Sequence, residues 1–115
     1  MIYVVFNPDK NEVSVKGHAI SGTMGKDLVC AAASILVYTL AANVDNMAEA
    51  CESREIILDS GNAEIRCTPK PEYSAVVRKT FADICAGFEI LSVNFPGNVT
   101  YDIECAGIEN SIDSA

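Results

Sequence analysis

At 115 residues, half of them hydrophobic and 21% charged, the chain has the size and composition of one folded domain, 1–115, and not of a disordered segment. Its formal net charge of −8 argues against direct binding to nucleic acid, whose phosphates require a basic face, and favours a basic partner through field complementarity. Five cysteines at 30, 51, 67, 85 and 105, with no CxxC pair and a single histidine, argue against a zinc site and are expected to be reduced thiols.

Ile2–Phe6 is β-branched and aromatic and predicts a strand. It lacks the basic lead and small-residue cleavage site of a secretory leader, so a cytoplasmic location is expected. Asn7-Pro8-Asp9-Lys10-Asn11 is turn chemistry, and Val13–Lys16 alternates apolar with polar, which closes a hairpin. Ala19–Lys26 reads as a loop, with Gly22 and Gly25 as flexible points.

Asp27 then reads as the N-cap of a long apolar helix reaching about Val44. Leu28–Val44 falls about a turn short of the ~20 residues that a bilayer core needs. It is therefore expected inside a protein core or a dimer, not a membrane. Arg54–Leu58 and Ala63–Thr68 form a second hairpin around Asp59-Ser60-Gly61-Asn62.

Pro71 suits the first turn of a second helix. In that helix Tyr73, Val76, Val77, Phe81, Ile84, Cys85, Phe88 and Leu91 recur at three- and four-residue steps. After the Phe95-Pro96-Gly97-Asn98 turn, Val99–Cys105 alternates as a last strand. The expected architecture is α+β, in the order ββαββαβ, with two helices packed on a mostly antiparallel sheet.

Chemistry concentrates between residues 17 and 34. With Asp27 as the cap, Cys30 is the third helical residue, where free N–H groups and the helix dipole favour a thiolate. A thiolate used in acyl transfer needs a proton partner, and His18 is the one imidazole in the chain. Eight residues, 19 to 26, can span up to roughly 28 Å, so ring and sulfur are able to meet.

Ser34 lies one turn beyond Cys30 and could steady either group, and Asp27 could orient His18. The N–H groups of Val29 and Cys30 are candidate oxyanion donors. The structural readings stand beside these: a cysteine in an Ala-rich helix is commonly a small buried hydrophobe. Asp27 alone reads as a cap and Ser34 as a packing residue. The residues by themselves leave both readings open.

Gly17-His18-Ala19, followed by Gly25-Lys26-Asp27-Leu28-Val29-Cys30-Ala31-Ala32-Ala33-Ser34, resembles the signature of the ribosomal-processing cysteine protease Prp (YsxB-like) family. The similarity extends to chain length and the ββαββαβ order. It implies a homodimeric bacterial enzyme without a cofactor, using a His18/Cys30 dyad accompanied by Asp27 and Ser34. The implied substrate is the N-terminal extension of large-subunit ribosomal protein L twenty-seven, with the loop carrying Gly22 and Gly25 closing over the peptide. The rival expectations are a non-catalytic ribosome-associated binding module and a structural dimerisation domain with an inert thiol.

Overall fold

The computed structural model describes residues 1–17 and 24–104, with side chains in the first helix described from Leu28 onward. Strands β1 (Ile2–Asn7) and β2 (Glu12–Lys16) form the first hairpin, antiparallel with Phe6 opposite Val13. The Asn7 Oδ1 accepts the N–H groups of Asp9 at 3.0 Å and Lys10 at 3.1 Å, which shapes the turn. Helix α1 (Met24–Asn46) follows, then β3 (Cys51–Asp59), β4 (Asn62–Pro69), α2 (Ser74–Asn94) and β5 (Val99–Ile103). The α+β order ββαββαβ is as expected. Pro71 opens a single 3-10 turn, Pro71–Tyr73, that leads into α2.

The five strands form one sheet in the order β3-β4-β2-β1-β5. All pairings are antiparallel except β1 with β5, which is parallel. Alternation selects the inner face: Ile2, Val4 and Phe6 on β1, Val13 and Val15 on β2, Ala63, Ile65 and Cys67 on β4 are all buried. Both helices cover that face. From α2 come Val77, Phe81, Cys85, Phe88 and Leu91, with the Phe81 ring stacked on Phe6 at 6.5 Å. Val76 and Tyr73, members of the same sequence periodicity, point outward.

Helix α1 buries Val29, Ala33, Val37, Leu40, Ala41 and Val44. It crosses α2 where Gly87 meets Leu36; a Cβ on Gly87 would lie 2.7 Å from the Leu36 Cδ2. Its last turn carries no basic residue, and Arg54 of β3 supplies the missing cation. The Arg54 guanidinium donates to the Asp45 carbonyl at 2.8 Å and pairs with the Asp45 carboxylate at 2.9 Å. The C-terminal end of α1 is thereby fixed beside the start of β3.

One expectation is overturned among the cysteines. A disulfide joins Cys51 and Cys67, whose Cα atoms lie 6.2 Å apart. The adjacent strands β3 and β4 bring the two side chains together from a separation of 16 residues, a pairing that no sequence spacing announces. Cys30 and Cys85 are free, and Cys105 lies outside the described residues.

Candidate active site

A cavity of about 450 Å³ opens between the first half of α1 and the sheet. Its floor is apolar, built from Ile2, Val15 and Ala63 of the sheet and Ala33 and Val37 of the helix. Cys30 and Ser34 look into it from α1, one turn apart and both half-buried. The opposite wall is the tip of the β3–β4 hairpin, Leu58 to Asn62, with Tyr38 at the helical rim.

The route from β2 into this cavity depends on one glycine. Gly17 lines it and adopts φ +99°, a left-handed conformation that favours glycine. A Cβ there would also collide with the Met1 carbonyl. The Gly17 N–H donates to the Gly61 carbonyl at 3.0 Å, so the end of β2 is tied to the hairpin tip. His18, the next residue along the chain, lies outside the described residues, as does Gly22.

Helix α1 begins at Met24, and this corrects three expectations. Asp27 falls within the first turn and is not the N-cap; its side chain lies outside the described residues. Gly25 is helical and not part of a loop. Cys30 is the seventh helical residue, counting Met24 as the first, so its N–H and that of Val29 are committed to the helix ladder and unavailable to an oxyanion. The start moves forward because Met24 and Lys26 are good helix formers, and the first turn tolerates Gly25 at little cost.

The two free thiols have different surroundings. Cys85 is 1% exposed on α2. Burial pushes its thiol up to about 12, partly offset by a hydrogen bond with the Tyr101 hydroxyl. Burial also pushes the Tyr101 hydroxyl up, with Cys85 and Glu89 adding to the effect. Cys30 is half-buried and borders open space. Among the described residues no cluster of three or more His, Cys, Asp or Glu side chains could hold a metal ion.

The hairpin tip is the part of this site that sequence reasoning missed. Asp59-Ser60-Gly61-Asn62 is legible as a turn, but only the sheet order, with β4 beside β2, carries that turn to Cys30. Among the described residues the Asn62 Oδ1 in this wall is buried without a hydrogen-bond partner.

The family described as Cysteine protease Prp matches residues 1–100. No curated protein matches the chain. Among solved structures, SMU.848 from Streptococcus mutans is similar at 26% identity and TM-score 0.66, over 90% of this chain and 92% of that one. The ribosomal processing protease Prp from S. aureus, in complex with a covalently linked product peptide, is similar at 21% identity and TM-score 0.68, over 90% of this chain and 100% of that one. The same S. aureus protease with a substrate peptide gives 19% identity and TM-score 0.68, over 90% and 97%. At these identities the two S. aureus structures establish the shared fold.

Proposed function

The chain belongs to the cysteine protease Prp family and is a cysteine protease; from that premise we propose that it trims the N-terminal extension of large-subunit ribosomal protein L twenty-seven. The observation that carries the reading is the position of Cys30, the free thiol that borders the cavity between α1 and the β3–β4 hairpin. The S. aureus relative, named as an essential ribosomal processing protease and solved with substrate and product peptides, supports a ribosomal peptide as substrate. A basic ribosomal protein also suits a chain of net charge −8.

In the proposed reaction the Cys30 Sγ loses its proton to His18 and attacks the scissile carbonyl. The C–N bond breaks, the leaving amine takes the proton from His18, and a thioester remains on Cys30. Water, deprotonated by His18, then attacks the thioester and regenerates the thiol. Ser34, one turn further into the same cavity, steadies the sulfur or the imidazole, and Asp27 lies one turn before Cys30. Gly22, between His18 and the helix, belongs to the segment proposed to cover the bound peptide. The chemistry uses no cofactor.

The enzyme is further proposed to be a cytoplasmic homodimer that binds neither nucleic acid nor membrane directly. Only 33% of the apolar Leu28–Asn46 stretch is buried. Leu28, Ala31, Ile35, Tyr38 and Ala42 form an exposed stripe without a charge along α1. A second copy meeting this stripe avoids the self-repulsion that the acidic remainder imposes. Light scattering is expected to give a dimer, and Ile35→Glu a monomer.

The decisive experiment mixes purified protein with the extended ribosomal protein and follows its mass. Wild type removes the extension, whereas Cys30→Ala and His18→Ala bind the substrate and leave it whole. Binding without trimming by wild type would instead identify a ribosome-associated binding module.

A further inference from the structure

Strand β3 is the outermost strand of the sheet and pairs with β4 alone. Among the described residues nothing pairs with its second edge. The geometry of the hairpin indicates which backbone groups that edge presents. Asp59 lies opposite Asn62 across the two-residue turn Ser60-Gly61, and the closing pair of such a hairpin exchanges both backbone hydrogen bonds. Alternation then commits Ile57, opposite Glu64, to the ladder and turns the N–H and C=O groups of Ile56 and Leu58 outward.

Exposed edges in natural sheets are blunted by charged side chains, above all lysine, by proline or by a bulge, and the charges of β3 flank Ile56–Leu58 without entering it. The sequence of β3, Cys51-Glu52-Ser53-Arg54-Glu55-Ile56-Ile57-Leu58-Asp59, contains neither lysine nor proline. Its one register irregularity falls between Cys51 and Ser53, at the end away from the cavity. The half of β3 nearest Cys30 is thus a regular, open edge, and Leu58 lines the cavity itself. Among the described residues Glu52 and Asp59 are exposed without an ion pair, Glu55 is engaged by Arg66, and the single cation of β3, Arg54, is turned to Asp45. The edge is acidic and suits an extended segment with basic residues.

We propose that the free edge of β3 receives the substrate as an added strand, with Ile56 and Leu58 pairing with the peptide backbone and leading an extended, basic segment past Cys30. The backbone pairing supplies affinity for any extended peptide, and the cavity beside it selects the side chain that enters. This inference rests on the protease reading above.

A backbone N-methyl scan tests it with the unaltered enzyme. Synthetic peptides spanning the cleavage junction of the ribosomal protein each carry one methylated amide. Strand addition uses every second N–H, so methylation at alternate positions is expected to raise KM at least about tenfold, with the positions between them within about twofold. Leu58→Pro deletes an outward donor while leaving the β3–β4 ladder intact; it is expected to keep the fold and raise KM, with Leu58→Ala as the side-chain control. If the parent peptide is cut but sensitivity is flat or lacks alternation, strand addition is overturned and the protease reading stands. A parent peptide that is neither cut nor bound overturns the ribosomal-substrate reading, and the added strand with it.

Discussion

Helices α1 and α2 lie on the same face of one sheet, and each carries one free cysteine, yet the two sulfurs have opposite fates. On α2, Cys85 sits in a stripe with Phe81 and Phe88, both fully buried, and β5 closes over it through Tyr101. On α1, Cys30 lines a cavity together with the small residues Ala33, Ala63 and Gly17, which leave room for it. Residue type and element type are equal in the two places. The size of the neighbouring side chains decides which thiol borders open space and which is core.

The largest effect that this contrast predicts is on activity. Cys30→Ala should lower the rate of peptide cleavage by on the order of 10³-fold or more, with a melting temperature within a few degrees of wild type; retained cleavage would end the assignment of Cys30. The converse holds on α2, where Phe81→Ala should cost about 3–5 kcal/mol of stability in urea titrations. A loss below about 1 kcal/mol would mean that α2 is not packed as tightly as its burial indicates.

Away from both helices, the disulfide between Cys51 and Cys67 closes a short loop, and its reduction should cost about 3 kcal/mol. A melting curve unchanged by dithiothreitol would show that the sulfurs are not bonded. Where the helices meet, Gly87→Ala pushes a methyl group against the Leu36 side chain and should cost about 1 kcal/mol, since the leucine end can shift only partly.

The smallest effect concerns pH. The Cys85 thiol holds its proton up to about 12 in the folded chain, against an ordinary value of 9.0. The unfolded chain releases that proton first, so this contribution is intact below about pH 9 and is lost as pH rises toward 12. In Cys85→Ala, thermal denaturation should therefore decline less steeply across that range. An identical decline in both proteins would mean that Cys85 is not sealed.

Much of the fold is legible along the chain because its causes are local. The alternation in Val13–Lys16, the turn in Asp59–Asn62 and the three- and four-residue spacing of Phe81, Cys85 and Phe88 each fix an element within a few residues of where it lies. Helix α1 starts four residues before the Leu28 that a cap at Asp27 implies, because Asp27 is a good cap only in isolation. Once Met24 and Lys26 extend the helix, the residue falls inside it. That small shift removes the amides of Val29 and Cys30 from any oxyanion role, a consequence invisible to residue preferences.

By itself, the sequence determined the element order, the alternation of Val13–Lys16 and the segment, 17 to 34, that carries the candidate site residues. These follow from periodicity and local backbone preference. Only the tertiary structure decided that the β3–β4 hairpin tip stands opposite Cys30, that Cys51 bonds Cys67, and that among the described residues no strand pairs with the outer edge of β3. Each of those depends on strand order, which brings together residues far apart in the chain, and no local preference encodes which strand lies beside which.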